Sequence, residues 1–258
     1  MMIKQTKQDI LAQLIWMSHE LGRPELDYAI LGEGNVSARI DDETFLVKAS
    51  GAELRTLDEN GLVEVSLQRA LALLDAEDIS DASVKAGLVA AKVDPTATRH
   101  PSVETVLHAL ALTAGGATWV GHTHPTAVNA VLCSQAAESA YAGRLFPDEI
   151  VVCGPAPVFV PYTDPGVPLA RCVREKIQAY MEEWGQPPKV ILMQNHGLIA
   201  LGSSPQEVLN ITAMAVKVAR VLLGTYALGG PRFLTEQQVT RIHTRPDEAL
   251  RRRMLGLK

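Results

Sequence analysis

The sequence predicts a layered α/β domain, and three observations carry that prediction. Segments with helical and with strand-like apolar spacing are interleaved along the chain, a capping-box signature opens a long helix near its end, and no internal repeat or low-complexity tract points to a solenoid or a disordered chain. With 258 residues, 47% of them hydrophobic and 21% charged, the chain can bury a sizeable core. One domain is expected over residues 1–258, with a polar C-terminal tail at 231–258.

The elements follow in order. Ile10, Leu11, Leu14, Met17 and Leu21 recur at helical spacing up to Gly22-Arg23-Pro24, giving an amphipathic helix closed by breakers. The runs VSARI and TFLVKA, separated by Asp41-Asp42-Glu43, read as a β-hairpin entered through the Gly-rich GEGN. A strand around Gly61–Leu67 and a helix near Leu67–Leu74 come next. Residues 76–100 have no clear order, although SVKAGLVAAK is compatible with a helix. Ser102–Leu112 reads as a helix, Thr118–His122 as a short buried strand, and Ala127–Cys133 as a helix started after Pro125. A strand is expected at Ile150–Cys153, then the Pro-rich connection VPYTDPGVP, a helix from Leu169 to Trp184 and a strand VILMQ reaching Asn195. Ser204-Pro205-Gln206-Glu207 combines an N-cap serine, proline at the first helical position and glutamate three residues after the cap, and the helix it opens runs toward Gly224.

Charge and composition exclude several classes. The net charge is -5 and the pI about 5.8, so no global positive field would attract nucleic acid or an anionic membrane. The first residues, MMIKQTKQDILAQLIWMSHELG, carry polar groups throughout, so neither a signal peptide nor a spanning helix is expected, and the protein is expected in the cytoplasm. Cys133, Cys153 and Cys172 are odd in number and widely spaced, which fits small buried residues better than a disulfide framework or a thiolate zinc site.

Gly121-His122-Thr123-His124-Pro125 ends the apolar run Trp119-Val120. In an extended strand, side chains two apart share a face, with Cα atoms about 6.5 to 7 Å apart, so His122 and His124 either grip one ion or are an ordinary histidine pair. His196, in Gln194-Asn195-His196-Gly197, follows the strand VILM, where glycine permits a tight turn. It is a third ligand or a histidine in a polar loop. Three such ligands would leave one position of a four-coordinate zinc open, and manganese or cobalt would also suit nitrogen and oxygen donors. Glu104 lies in the first turn of its helix, where the helix dipole alone would favour a carboxylate. His108, one turn on, either orients Glu104 or is a core histidine. Gly34-Asn35-Val36-Ser37 and Ser50-Gly51 are polar turns of the kind that can cradle an anion.

Taken in order, GNVS at 34–37, SG at 50–51, PSVE at 101–104, GHTHP at 121–125 and NHG at 195–197 resemble the class II aldolase/adducin family. The resemblance runs from Gly32 to about Gly202, and the tail FLTEQQVTRIHTRPDEALRRR is similar to tails in the family. It implies a class II aldolase-like three-layer α/β/α domain with a mixed, largely antiparallel central sheet, assembled as a homotetramer. It implies His122, His124 and His196 as metal ligands, Zn2+ with Mn2+ or Co2+ as alternatives, and Glu104 as the catalytic acid/base. By the same resemblance Gly34, Asn35, Ser50, Gly51 and Ser102 would bind a substrate phosphate. The chain departs from phosphate-binding members in carrying Ser102-Val103 where they have two serines. The stretch from Gly51 to Pro101 is also longer than theirs, more like the aldolase half of bifunctional aldolase/dehydrogenase members.

The activity implied is metal-dependent cleavage of a carbon-carbon bond in a keto-sugar phosphate or similar hydroxy-ketone through a metal-bound enediolate, with Tyr141 or Tyr162 as acid for the departing aldehyde. The alternatives are decarboxylation of a 3-keto acid phosphate, epimerisation or dehydration. Glu104 favours the lyases, because the epimerases tend to carry aspartate there. Adducin-like scaffolds of the family have lost the ligands that this chain keeps.

Overall fold

The computed structural model describes residues 5–254. Residues 1–4 and 255–258, which belong to the expected domain span, lie outside the described residues, as do the side chains of Arg252 and Arg253 in the C-terminal arginine run. Helix α1 (Lys7–Leu21) opens on a Thr6–Asp9 capping box and buries Ile10, Leu14, Met17 and Leu21, the residues whose spacing predicts it. Strands β1 (Asn35–Arg39) and β2 (Thr44–Lys48) form the expected hairpin, and Asp41 Oδ1 closes its turn by accepting the N–H groups of Glu43 and Thr44. Strand β3 (Leu62–Ser66) runs into α2 (Leu67–Ala72), and the unordered stretch contains α3 (Asp81–Ala90), capped by Ser80. Then come α4 (Thr105–Ala111), β4 (Trp119–Thr123), α5 (Thr126–Leu132) and the short α6 (Ala137–Ala140).

One expected element needs correction beyond this point. Ile150–Cys153 is not a strand but the end of helix α7 (Pro147–Cys153). Pro147 in its first turn, with Asp148 and Glu149 beside it, starts a helix, and Gly154 at φ 80° ends it. All of Ile150–Cys153 is buried, so the run shows no period from which to tell helix from strand. The strand of this region is β5 (Val158–Val160). After α8 (Val167–Trp184) and β6 (Val190–Met193), the sequence GLIALG forms a strand that was not anticipated, β7 (Gly197–Gly202), buried along its whole length. Beyond α9 (Pro205–Tyr226), the polar tail folds as α10 (Glu236–Thr244), with its own capping box from Thr235 and Gln238, and α11 (Pro246–Met254). Of the cysteines, all expected to be buried, only Cys153 is; Cys172 is intermediate and Cys133, just past the end of α5, is exposed, which corrects the expectation.

The seven strands form one sheet in the order β3-β2-β1-β4-β7-β6-β5, antiparallel except for β5 and β6. Strand alternation divides the apolar side chains between its faces. Phe45, Val120, Ile191, Ile199 and Leu201 pack with α2, α3, α4 and α8 on one face. Leu46, Trp119, Leu192, Leu198 and Ala200 pack with α1, α5, α7 and α9 on the other, which makes three layers. By length and composition α9 could cross a membrane; here its Val208, Ile211, Ala215 and Val218 are buried in the second of these layers.

Candidate active site

The site lies where β4 and β7, neighbours at the middle of the sheet, meet the turn after β6. His122 is the fourth residue of β4 and fully buried; His124 follows the end of the strand. His196 is carried by the β6–β7 turn, closed by the His196 N–H donating to Met193 O at 3.1 Å. The left-handed residue of this turn is Asn195, at φ 55°, and not Gly197. Gly197 is needed for a different reason: a Cβ there would lie 2.6 Å from Thr123 O and 2.7 Å from His124 Cδ2. Asn-His-Gly therefore supplies the turn, the imidazole and the close approach of β7 to the histidine-bearing strand.

The three rings meet in T-shaped pairs, with centroids 4.7, 5.0 and 5.1 Å apart. One nitrogen of each of His122, His124 and His196 lies within 4.8 Å of the others. The His122 Nδ1–H donates to Leu198 O at 3.0 Å and the His124 Nδ1–H to Glu33 Oε2 at 3.3 Å. With those protons placed, the Nε2 lone pairs of His122 and His124 face each other at 3.0 Å. Glu104 Oε1 adds a fourth electron pair, 3.1 Å from His122 Nε2 and 3.3 Å from His196 Nε2. Such a set is repulsive without a positive charge among its members: a proton on His122 in the metal-free protein, whose pKa burial works to lower but the charge and hydrogen bond of Glu104 raise, or an ion in its place. Bonds of 2.0–2.1 Å to a tetrahedral zinc would place nitrogens about 3.3 Å apart, so this donor set fits a divalent ion.

The surroundings tune these groups. Burial works to raise the Glu104 pKa, but the charge and hydrogen bond of His122 and the hydrogen bond of His196 outweigh it and hold the carboxyl well below the usual range. Burial, then the charges of His122 and His196, push His124 down to about 3, which leaves it neutral and able to donate a lone pair. The Glu104 side chain makes no capping bond to α4, although the residue occupies the N-cap position; it is turned to the histidines. His108 is buried and stands outside the cluster, with Nδ1 2.7 Å from Ser37 Oγ; burial pushes its pKa down to about 3.

Of the expected anion-binding residues, Gly34 and Asn35 lie beside His122, and Ser50, Gly51 and Ser102 lie along the segment that leads to Glu104. Asn35 pairs with His122 across β1 and β4, and its Oδ1 accepts the Val36 N–H at 2.9 Å. Gly34, at φ 73°, has no room for a Cβ, which would lie 2.8 Å from His122 O. The Ser50 N–H donates to His100 O at 3.0 Å and Ala49 bridges Pro101, so the Ser50-Gly51 turn lies against the segment that leads to Glu104. Ser102 Oγ accepts the Glu104 N–H at 3.3 Å, leaving its hydroxyl proton to donate. Ser50 and Val103 also line a cleft of about 770 Å³, together with Arg99 and His100 from the long segment after α3. Of the two tyrosines, Tyr162 is exposed, donates to Asp164 and hangs from Gln194 beside the His196 turn. Tyr141 is buried and lines a small cavity with Cys153, Val190 and Leu192, a set that includes none of the candidate site residues.

Sequence reasoning missed two residues. Lys48 is buried, and its ammonium donates to Gly32 O at 3.3 Å and Ala52 O at 2.6 Å, tying the GEGN loop to the Ser50-Gly51 turn. Burial lowers its pKa, against the opposing pull of Glu104 and Glu53. Its signal was a lone lysine in the apolar run TFLVKA. Glu33, the partner of His124, had none beyond being an acid in a turn.

Fold and site define a three-layer α/β/α protein with a histidine group able to hold a metal ion. The sequence matches the family described as Class II Aldolase and Adducin N-terminal domain over residues 12–223, and the chain belongs to that family. Among solved structures it resembles the N-terminal class II aldolase domain of a conserved protein from Thermoplasma acidophilum, at 24% identity and a TM-score of 0.65, covering 86% of this chain and 97% of that one. It also resembles YgbL of Klebsiella pneumoniae, whose reaction is left open among aldolase, epimerase and decarboxylase, at 22% identity and TM-score 0.67, covering 92% and 99%. L-fuculose-1-phosphate aldolase from Thermus thermophilus matches at 18% identity and TM-score 0.58, covering 87% and 98%. At these identities the likeness speaks for the fold. No curated protein matches the sequence.

Proposed function

We propose that this protein is a metal-dependent carbon-carbon lyase that cleaves a keto-sugar phosphate or a similar hydroxy-ketone. The observation that carries the reading is the convergence of three imidazole nitrogens and the Glu104 carboxylate on one point. His122, His124 and His196 would hold the ion, zinc by preference. When bound, the ion supplies Lewis acidity toward a carbonyl and an adjacent hydroxyl, worth several kcal/mol as negative charge develops. Glu104 moves the proton at the carbon that carried the broken bond, for which its placement at the edge of the histidine group is suited. Gly34, Asn35, Ser50, Gly51 and Ser102 hold the phosphate, Lys48 keeps their two turns together, and Tyr162 is the candidate group at the departing aldehyde, where the substrate hydroxyl gives up its proton as the carbon-carbon bond breaks and regains it in the condensation direction.

A second reading, decarboxylation of a 3-keto acid phosphate, is favoured by the cleft beside Glu104, where Val103 replaces a hydroxyl donor and Arg99 offers a cation to a carboxylate. We take the working form to be a cytoplasmic homotetramer of single-domain subunits. The experiment is a screen of keto-sugar phosphates and keto acids on protein loaded with zinc, manganese or cobalt, detecting dihydroxyacetone phosphate, glycolaldehyde or carbon dioxide. Aldehyde release supports the lyase reading, carbon dioxide supports the second, and inactivity of metal-loaded protein on the whole panel counts against both.

A further inference from the structure

We infer that Glu33 is a positioning residue of the metal centre, the carboxylate that fixes His124 with its Nε2 lone pair toward the ion. The inference rests on the metal reading above and goes beyond it, to a residue outside the ligand set. His124 has two ring nitrogens, and only one of them points at the other histidines: Nε2 is 3.0 Å from His122 Nε2, and Nδ1 is 3.3 Å from Glu33 Oε2. A carboxylate accepting the Nδ1 proton selects the tautomer that leaves Nε2 unprotonated, and it raises the basicity of the ring toward a cation. The three histidines differ in this respect. His122 is fixed by a neutral acceptor, Leu198 O, and among the described residues no other carboxylate reaches a ring nitrogen from outside the cluster.

Exposed ion pairs are ordinarily weak, because holding two long side chains in one geometry costs entropy. Here the Glu33 carboxylate is already held. Its Oε1 accepts the Ile30 N–H at 2.7 Å, and its own N–H donates to Ile30 O at 3.2 Å, closing a turn in which Leu31 takes a left-handed φ of 52°. A non-glycine residue in that region is uncommon and persists where surrounding contacts enforce it. The same loop is fastened to the ligand itself, since the His124 N–H donates to Tyr28 O at 2.8 Å. Residues 28–33 therefore grip His124 by its backbone and its ring. They run directly into Gly34 and Asn35, so the segment that aims the ligand also carries the proposed anion-binding turn.

The test is zinc affinity of the full chain, measured by competition with a chromophoric chelator, for wild type, Glu33→Gln and Glu33→Ala. The visible spectrum of each protein loaded with Co2+ is the second readout. Glu33→Gln keeps an acceptor for the Ile30 N–H and removes the charge at His124. Zinc binding should weaken about 10- to 100-fold, with a changed cobalt spectrum and an unchanged melting temperature of the metal-free protein. Glu33→Ala should weaken zinc binding at least as much. Unchanged zinc affinity in both variants overturns the inference, and so does a lower metal-free melting temperature with zinc affinity intact, which would make Glu33 a loop residue only. If wild type itself binds no zinc or cobalt, the metal reading falls and this inference with it; equal binding by wild type and variants overturns this inference alone.

Discussion

His122, His124 and His196 are chemically alike and structurally unequal. His122 is locked inside a strand, His124 leaves its end, and His196 rides on a three-residue turn whose geometry depends on Asn195 and Gly197. His122→Ala and His196→Ala should each lose most of the bound metal and all turnover, because two remaining imidazoles no longer define the geometry. Metal analysis of the purified variants checks this, with His243→Ala as a control that keeps its metal. Full occupancy in the His196 variant would sink the ligand assignment. Glu104 poses a separate question. The helix-dipole role that its position suggested in the sequence has little support, since its side chain caps nothing and faces the histidines. Glu104→Gln should retain metal while turnover falls about 10²- to 10⁴-fold, and the metal-free variant should lose some stability at neutral pH, because the carboxylate that the histidines hold well below its usual range is gone. Near wild-type exchange of the product's α-proton with solvent deuterium would assign proton transfer elsewhere.

At the scale of elements, legibility followed local chemistry. The Ser204–Glu207 cap of α9 and the β1–β2 hairpin were readable because their signals are confined to a few adjacent residues. Strand β7 was not, because GLIALG is buried on both faces and a fully buried run has no alternation to detect. Ile150–Cys153 failed for the same reason in the opposite direction. The histidine group was legible as residue types in order, whereas Glu33 and Lys48 were not, since their roles depend on which loops the sheet brings together. The approach of β7 to β4 yields a prediction at this scale. Gly197→Ala puts a methyl group against Thr123 O and His124 Cδ2, and should cost about 1 to 3 kcal/mol by overpacking. Denaturant unfolding of the metal-free variant measures this, and an unchanged midpoint would mean that the strands can separate at no cost.

For the whole molecule, the candidate site draws on β1, β4, the β6–β7 turn and the start of α4, segments that are adjacent only in the folded sheet. An ion held there binds the native state and not the unfolded chain, so it should stabilise by mass action, by about 2.7 kcal/mol at a hundredfold excess of free ion over Kd. Zinc should raise the melting temperature by several degrees and a chelator should reverse the shift. The His122→Ala protein should show neither. A wild-type melting curve indifferent to zinc would turn attention to the scaffold proteins of the family.

The antiparallel contact of β4 with β7 joins Trp119–Thr123 to Gly197–Gly202, with α5, α6, α7, β5, α8 and β6 folded into the chain between them. That pairing closes a long loop, and its entropic cost falls due before His122 and His196 can meet. An ion bound there would act late, as a latch closed on a finished sheet. Stopped-flow experiments should find the refolding rate indifferent to zinc and the unfolding rate slowed by it, as expected for an interaction absent from the folding transition state. A protein built this way would owe its lifetime in the cell, and not its speed of folding, to the supply of metal.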